Sequence, residues 1–295
     1  MNLRDLGEDA LLARILPRLK GGKGVLAGAG DDCAVLRFSG HNRLLLFKTD
    51  CLVENIHFRS QDDAAAVGWK AMMRPLSDFA AMSGVPEFAL VTLIAPQRTA
   101  VRKIDQLYLG LQRAAARFHV SIAGGETSNT SGPLVLSVSA IGFVEKRRWV
   151  SRSGGKPGDD LFVTGRLGGS GKGKHLRFLP RLEESRWLTQ NFRIHAMMDL
   201  SDGLGADLPR LAKASKAGFT IDKRMLPLSP GAKIEHAISD GEDYELLFAL
   251  PSRHRRRLER SWPTEFPRLR LTRIGSLTSN IKHQTFRPGG YVHFK

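Results

Sequence analysis

The stretch AAAVGWKAMMRPLSDFAAMSGVPEFALVTLIA, residues 64–95, contains a helix pattern followed at once by a strand pattern. Apolar side chains recur at helical spacing over residues 64–82, and Gly84 with the proline two residues later predicts the end of that helix. Pro75 lies inside the pattern and predicts a turn or a kink. Residues 88–95 form a short, mostly apolar run, which predicts a buried strand. This stretch therefore favours a fold in which helices pack against a sheet.

The same alternation of helix and strand patterns continues on both sides of this stretch. It predicts an α/β or α+β protein. A turn-rich segment, SRSGGKPGD at residues 151–159, predicts a boundary between two domains, residues 1–147 and 148–295. Further helices are predicted at residues 8–20, 102–118, 204–215 and 253–261, and further strands at residues 44–49, 120–123, 134–144, 161–164, 244–250 and 269–274.

Length and composition limit the class of protein. The 295 residues allow a sizeable core or two domains, and 42% hydrophobic with 25% charged residues excludes collagen-like, coiled-coil and wholly disordered chains. The 45 Lys and Arg exceed the 29 Asp and Glu, which gives a net charge of +16. The excess is concentrated in residues 146–193, net +8, and 252–295, net +9. Such charge suits a polyanionic partner such as nucleic acid, an anionic membrane surface or a phosphate-rich ligand.

The sequence predicts a cytoplasmic protein that does not contact a membrane. No apolar stretch approaches the roughly 20 residues of a membrane-spanning helix. The first residues include acids and no apolar signal core, so we expect no signal peptide. The only cysteines, Cys33 and Cys51, have no metal-site spacing and do not form a disulfide scaffold.

Carboxylates cluster beside glycine-rich turns in several separate segments. Each cluster alone has a structural interpretation, as a solvated acidic turn or a helix cap. Clustered like charges nevertheless repel unless they are solvated or bridged by cations. Asp78 lies in an otherwise apolar helix, where a carboxylate is costly unless it is paired or binds a metal. The segments are GAGDD (28–32), TDCLVENIHF (49–58), LSDFAAM (76–82), GGET (124–127), DLSDGL (199–204) and GEDYEL (241–246).

Several kinds of active site are excluded by the motifs that the sequence lacks. It contains no GxxxxGK[ST] loop, no protein-kinase HRD or DFG arrangement, no GxSxG elbow and no HExxH. No residue is therefore predicted as a covalent nucleophile. Separated carboxylates beside glycine turns, with Lys and Arg available, suit the binding of polyphosphate through Mg²⁺. Phosphoryl transfer needs mainly positioning and charge neutralisation, so it is compatible with this set.

Taken together, these segments resemble the thiamine-monophosphate kinase family, in the superfamily of aminoimidazole ribonucleotide synthetase and selenophosphate synthetase. The resemblance also uses SRSGGKPGDDLFVTG (151–165) and GYVHF (290–294), and runs from about residue 5 to the end. It implies transfer of the ATP γ-phosphate to thiamine monophosphate, giving thiamine diphosphate, with several Mg²⁺ ions. It also implies a two-domain α/β fold, in which residues 1–147 bind metal and ATP and pair in a homodimer. Residues 148–295 would complete the nucleotide and substrate site.

The resemblance further implies roles for individual residues. An aromatic ring such as Tyr291 is suited to stacking on a cationic thiazolium. The implied magnesium ligands are Asp32, Thr49, Asp50, Asp78, Glu126, Asp199 and Asp202; the implied ATP-binding residues are Gly125, Glu126, Arg152 and Ser201; and the implied thiamine-binding residues are His57, Glu242 and Tyr291.

Four positions depart from the family pattern. Glu126 stands where Asp is usual, and Lys48 stands where a hydroxyl residue often helps to bind a magnesium ion. Pro75 replaces a frequent Asn, and Val292 replaces an acid in the closing motif. A lysine cannot ligate a cation, so Lys48 either replaces the charge of one ion or contacts phosphate directly. The number of magnesium ions therefore stays open at the level of sequence.

Two other functions remain as alternatives. One is another ATP-using synthetase of the superfamily, although selenophosphate synthetases usually need a reactive Cys or selenocysteine near the N-terminus and none precedes Cys33. The other is a nucleic-acid-binding protein with a degenerate site, which the basic residues 252–295 would favour. No RNP aromatics or zinc-finger spacing accompany those bases, so we expect no nucleic-acid partner.

Overall fold

The computed structural model describes residues 2–19, 21–38, 42–281, 285 and 289–291. The helices are α1 (Leu3–Leu6), α2 (Glu8–Ile15), α3 (Ala64–Ala81), α4 (Val101–Arg117), α5 (Leu182–Asn191), α6 (Leu204–Ala214), α7 (Ile234–Ser239) and α8 (Arg255–Glu265). The strands are β1 (Val25–Ala27), β2 (Ala34–Arg37), β3 (Arg43–Val53), β4 (Val85–Ala95), β5 (Ser121–Asn129), β6 (Val135–Glu145), β7 (Asp159–Thr164), β8 (Ala196–Asp199), β9 (Gly218–Ile221), β10 (Leu246–Pro251) and β11 (Leu271–Thr278).

Two sheets form the framework, which confirms the α/β prediction. The first has the order β1-β2-β3-β6-β4-β5, and its pairs are antiparallel except for the parallel pair β4–β5. The second has the order β8-β10-β7-β11-β9 and is antiparallel throughout. Because the first uses residues 25–145 and the second residues 159–278, a boundary near residue 147 stays a prediction that fits this layout.

Helix α3 lies between the two sheets. Asp63 is its N-cap, and the Asp63 carboxylate accepts hydrogen bonds from the Ala65 and Ala66 amides. The helix continues through Pro75, where the sequence predicts a turn or a kink. It contacts β3 and β6 on one side and β8 on the other. Residues of α3 can therefore meet carboxylates from both halves of the chain.

The packing of α3 against α4 depends on two glycines. A Cβ at Gly68 would lie 1.9 Å from the Leu107 carbonyl oxygen, and a Cβ at Gly110 would lie 1.9 Å from the Ala65 carbonyl oxygen. Real Cβ atoms do not approach backbone this closely, so both positions need glycine. The two helix backbones are therefore in close contact at these positions.

The apolar core crosses from one sheet to the other. One buried cluster joins side chains of the first sheet and of α3 to Phe162 and Phe248 of the second sheet. A second cluster covers the opposite face of the second sheet, where Leu161 and Leu247 pack against α6. In the part of the chain that the structure describes, no helix is long and apolar enough to cross a membrane.

Two strand ends differ from the sequence prediction in ways that matter for the site. Strand β3 continues to Val53, so Asp50 lies inside the strand and not at its end. Gly124, Gly125 and Glu126 lie inside β5 and do not follow it as a turn. In both cases the continuing backbone pairs with a neighbouring strand, β6 for β3 and β4 for β5.

Candidate functional site

Three predicted metal ligands converge at the centre of the molecule. One carboxylate oxygen from each of Asp32, Asp78 and Asp199 lies within 4.8 Å of the others. Asp32 precedes β2, Asp78 lies on α3 and Asp199 ends β8, so three distant segments contribute. All three residues are buried, with 1%, 6% and 3% of their surface exposed. Like charges at this separation in a buried place indicate a site for a cation.

The pKa shifts of the buried aspartates also indicate a site for a cation. Burial raises the pKa of Asp78 well above its ordinary value; Lys48 opposes this shift, and Asp50, Asp199 and Asp32 add to it. Burial also raises the pKa of Asp199 to about 7, with a further contribution from the charge of Asp32. A bound divalent cation would favour the ionised carboxylates and so oppose both shifts.

Fixed side-chain cations surround the same carboxylates. The Arg152 guanidinium binds Asp32 through two hydrogen bonds, Nε to Oδ2 at 3.2 Å and Nη2 to Oδ1 at 2.7 Å. The Lys48 Nζ lies 2.8 Å from Asp78 Oδ1, and burial would lower its pKa, but Asp78 and other nearby acids raise it well above the ordinary value. Lys48 is therefore charged, and both cations are held against carboxylates of the centre.

Helix α3 supplies a row of polar side chains to the site. Lys70, Arg74, Ser77 and Asp78 have the spacing that puts residues on one helix face. The Ser77 hydroxyl donates a hydrogen bond of 2.6 Å to Asp199 Oδ2. The Arg74 Nη2 lies 3.4 Å from Oδ1 of Asp50, and the Arg74 Nη1 donates a 2.9 Å hydrogen bond to the carbonyl oxygen of Cys51.

The alternation of β3 separates Thr49 from Lys48 and Asp50. Lys48 and Asp50 share the face that packs on α3, because Leu44, Leu46 and Leu52 of that face are buried. Thr49 lies on the outer face, where its hydroxyl accepts a 3.0 Å hydrogen bond from Ser139. Lys48 and Asp50 are even-numbered and Thr49 is odd-numbered, and successive side chains of a strand point to opposite faces of the sheet.

Glu126 also belongs to the outer face of the first sheet. It is in register with Thr92 of β4, which is in register with Ser137 of β6. Its Oε1 accepts a 3.0 Å hydrogen bond from the amide of the next residue, and an open cavity of about 530 Å³ lies beside it. Gly125 is exposed and in register with Val91, whose carbonyl oxygen would lie 1.7 Å from a Cβ at Gly125. The side chains of Thr49 and Glu126 are thus on the opposite sheet face from the three buried aspartates.

Two of the three predicted thiamine-binding residues meet at a buried lysine. The Lys70 Nζ donates to Glu242 Oε1 and to the His57 carbonyl oxygen, both at 2.6 Å, and lies 2.8 Å from His175 Nδ1. The His57 Nδ1 accepts a 3.0 Å hydrogen bond from the Val53 amide. Burial alone would raise the pKa of Glu242, but the charge and hydrogen bond of Lys70 lower it below the ordinary value. Glu242 therefore presents a stable negative charge.

The loop that carries Glu242 has an unusual backbone. Glu242 and Tyr244 have φ of 54° and 51°, a region that residues other than glycine seldom adopt. The Glu242 amide donates to the Ser201 carbonyl at 2.7 Å, and the Tyr244 hydroxyl donates to Glu242 Oε1 at 3.3 Å. The Tyr244 ring stacks on Phe178 with centroids 3.9 Å apart. These contacts hold the Glu242 carboxylate in place.

Asp202, Ser201 and Tyr291 lie at the edge of the site. The carboxylate of Asp202 pairs with Arg210 and does not belong to the buried group of three among the described residues. The Tyr291 amide donates to the Asp202 carbonyl at 2.9 Å, and 41% of Tyr291 is exposed. Val292, the departure from the closing motif, lies outside the described residues.

Sequence reasoning missed Lys70, Arg74, His175 and Arg210. The argument that singled out Asp78, a charge in an apolar helix, applies equally to Lys70 and Arg74 on the same helix. No local pattern marks His175, because Lys70, which lies 2.8 Å from its Nδ1, is 105 positions away in the chain. Arg210 follows Asp207 by three residues on α6, a spacing that could have predicted their 3.0 Å ion pair, whereas Asp202 precedes the helix.

Known proteins resemble this chain over nearly its whole length. Residues 30–144 match the family model for AIR synthase related protein, N-terminal domain. The thiamine-monophosphate kinase of Rhodopirellula baltica is 36% identical, with 97% of each chain covered, and that of Escherichia coli K12 is 33% identical, with 98% of each covered.

Solved structures agree with these relatives. One described as "AaThiL complexed with AMPPCP and TMP" has a TM-score of 0.86 and 32% identity, with 99% of each chain covered. The thiamine-monophosphate kinase of Stenotrophomonas maltophilia K279a has a TM-score of 0.76 and 30% identity, covering 96% of this chain and 98% of that one. Sequence identity above 30% across the full length, together with the shared fold, shows that this chain belongs to the thiamine-monophosphate kinase family.

Proposed function

We propose that this chain transfers the γ-phosphate of ATP to thiamine monophosphate and so makes thiamine diphosphate. The observation that carries the proposal is the convergence of Asp32, Asp78 and Asp199 within 4.8 Å, from three distant segments. The family supports it through the relative described with TMP and with AMPPCP, an analogue of ATP. The sequence lacks the GxSxG motif of a nucleophilic serine, which agrees with direct transfer between the two substrates.

The donor set of the buried centre fits Mg²⁺. This ion prefers oxygen ligands and is usually bound by one or two carboxylates together with substrate phosphates. Asp32, Asp78 and Asp199 would hold it, and Asp50 lies next to them through Lys48. When bound, Mg²⁺ supplies neutralisation of the charge on the transferred phosphoryl group. We further propose Thr49, Glu126 and Asp202 as ligands of additional ions.

The other residues of the site bind and orient the two substrates. Arg152 adds charge-assisted hydrogen bonds to phosphate oxygens, and Gly125 lets the nucleotide approach the backbone of β5. The Ser201 segment is proposed to contact the nucleotide as well. Glu242, held by Lys70, attracts the cationic thiazolium, and the exposed ring of Tyr291 stacks on it. His57 is proposed to complete this substrate pocket.

We also propose a two-domain, homodimeric, cytoplasmic enzyme. Residues 1–147 would bind metal and ATP and pair with a second copy, and residues 148–295 would complete the site. The outer face of the first sheet supports the dimer, because Phe47, Phe88 and Leu90 lie there with 43%, 49% and 50% of their surface exposed. A contiguous exposed apolar patch of this kind is typical of a protein–protein interface.

The proposal is tested by a turnover assay on the purified protein. ATP, Mg²⁺ and thiamine monophosphate are expected to yield thiamine diphosphate and ADP in equal amounts. Thiamine and nucleoside monophosphates serve as alternative acceptors and are expected to give little product. Absence of thiamine diphosphate from a folded protein that binds both substrates would show that the proposal is wrong. Equal use of other acceptors would instead favour another ATP-using enzyme of the superfamily.

The role of Asp78 is tested by the substitution Asp78→Asn. The amide keeps the shape of the side chain but removes the charge that faces Asp32 and Asp199, so kcat/KM is expected to fall on the order of 100-fold or more. The same substitution at Asp105, which is exposed on α4, is the matched control and should leave turnover unchanged. Near wild-type turnover in a folded Asp78→Asn enzyme would contradict the assignment.

A further inference from the structure

The Lys48 ammonium group lies among the buried carboxylates, at a position that a metal cation could occupy. Its Nζ lies 2.8 Å from Asp78 Oδ1 and 3.8 Å from Asp50 Oδ2, and its side chain is 24% exposed. The side chains of Asp50 and Asp78 are 18% and 9% exposed. One ammonium group thus stands between two largely buried carboxylates from different elements, β3 and α3.

The carboxylates of the centre do not share their cations equally. Asp32 pairs with Arg152, Asp50 with Arg74 and Lys48, and Asp78 with Lys48. Asp199 accepts a hydrogen bond from the Ser77 hydroxyl, and within the described part of the chain no ion pair involves it. Of these four carboxylates, Asp199 is therefore the one with which no side-chain cation of the described residues pairs.

We propose that the Lys48 ammonium occupies one cation position of this centre, the one between Asp50 and Asp78, so that a divalent ion enters on the Asp199 side only. This inference rests on the proposed function, because it assumes that the centre binds Mg²⁺. An ion bound to Asp78 and Asp50 would need contacts of about 2.1 Å to their oxygens. The ammonium that is 2.8 Å from the same Asp78 oxygen excludes it by volume and by charge.

The backbone keeps Lys48 in this position. Lys48 is in register with the buried Ala140 of β6, and the preceding residues 44–47 of β3 also pair with β2. The aliphatic part of its side chain thus starts on the core face of the sheet, directly under α3. Because the cation is part of the chain, it does not dissociate when the concentration of free Mg²⁺ falls. The enzyme is expected to bind one divalent ion fewer than its carboxylates alone would allow.

The experiment counts the Mn²⁺ ions bound per chain, by electron paramagnetic resonance of free Mn²⁺, in the full-length protein without nucleotide. Lys48→Ala and Lys48→Ser remove the ammonium and leave room beside Asp78. Both are expected to bind one further Mn²⁺ compared with the wild type. Lys48→Arg keeps the positive charge and is expected to bind the same number as the wild type. The double variant Lys48→Ala with Asp50→Asn should lose the additional ion.

The possible outcomes separate this inference from the proposed function. If the wild type makes thiamine diphosphate and binds Mn²⁺ but neither neutral variant gains an ion, the role of Lys48 is wrong and the proposed function stands. If the wild type binds no Mn²⁺ and makes no product, both are wrong. Circular dichroism checks that each variant is folded. If the alanine variant is not folded, the serine variant alone provides the test.

Discussion

At the scale of single residues, Asp243 shows how burial and hydrogen bonding act against each other. Its two carboxylate oxygens accept hydrogen bonds from the Gly168 amide at 3.0 and 2.9 Å, and the Lys174 Nζ lies 3.2 Å away. Burial nevertheless raises its pKa to about 6, and the favourable contacts only reduce the shift. The folded protein therefore keeps a proton on Asp243 over a range of pH in which the unfolded chain has lost it.

This shift predicts a pH dependence of stability. Between about pH 4 and pH 6 the folded state binds more protons than the unfolded state, so the free energy of unfolding falls as pH rises. Asp243→Asn cannot titrate and should flatten this dependence by up to about 3 kcal/mol across the window. Urea unfolding at a series of pH values measures the effect.

The matched control for the pH dependence is the same substitution at an exposed position. Asp105→Asn on α4 should follow the wild-type curve throughout the window. If the Asp243→Asn curve also runs parallel to the wild type from pH 4 to pH 6, the raised pKa of Asp243 is contradicted.

Among individual residues, the sequence predicted those whose environment is local. Asp78 could be identified because its neighbours on α3 are apolar. Lys48 and Thr49 could not be assigned to opposite faces, because that assignment needs the bounds and the pairing of β3. The contacts of Lys70 could not be predicted, since Glu242 and His175 reach it from the other half of the chain.

At the scale of elements, the contact between α3 and α4 makes a sharp prediction. Gly110→Ala places a methyl group where the Ala65 carbonyl oxygen lies 1.9 Å away, so the helices must separate. Overpacking of this kind costs about 1–3 kcal/mol in the free energy of unfolding. Because α3 also carries Asp78, weaker Mn²⁺ binding is expected together with the loss of stability. Urea unfolding and Mn²⁺ titration measure the two effects.

A second glycine provides the comparison for that variant. Gly171 is exposed, has no atom within 4 Å of an added Cβ, and does not have a positive φ. Gly171→Ala should therefore change neither stability nor Mn²⁺ binding by much. Equal stability of the Gly110→Ala and Gly171→Ala proteins would show that the helices can separate without cost.

Among the elements, several of the long ones were predicted, whereas the ten-residue helix α5 and several short strands were missed. The helices at α3 and α4 and the strand at β6 were predicted within about two residues, because their hydrophobic periodicity extends over several turns or pairs. Strands β1, β2, β8 and β9 have only three or four residues each and were not predicted. Short strands form because of their neighbours in the sheet, and a single sequence does not contain that information.

At the scale of the whole molecule, the outer face of the first sheet predicts the oligomeric state. Leu90→Glu puts a charge in the middle of the proposed dimer interface, and the expected result is a monomer in sedimentation analysis. Val101→Glu, at an apolar position that is 75% exposed on α4, should leave the dimer intact. A Leu90→Glu protein that stays dimeric would show that another surface forms the interface.

The whole molecule also shows what composition could and could not predict. The length allowed a sizeable core or two domains, and the structure forms two sheets from residues 25–145 and 159–278. It could not indicate that one apolar core would include both Leu136 of the first sheet and Phe248 of the second. Side chains that meet across such a core come from positions whose order in the sequence gives no hint of their contact.

The central position of α3 has a consequence for synthesis of the protein on the ribosome. Ser77 and Asp199, which are joined by a 2.6 Å hydrogen bond, are separated by 122 positions in the chain. While β8 is still inside the ribosome, the emerging chain has Asp32 and Asp78 but not the third carboxylate of the centre. A nascent chain can therefore build much of its first sheet before it can bind its metal, and the kinase site is completed only late in translation.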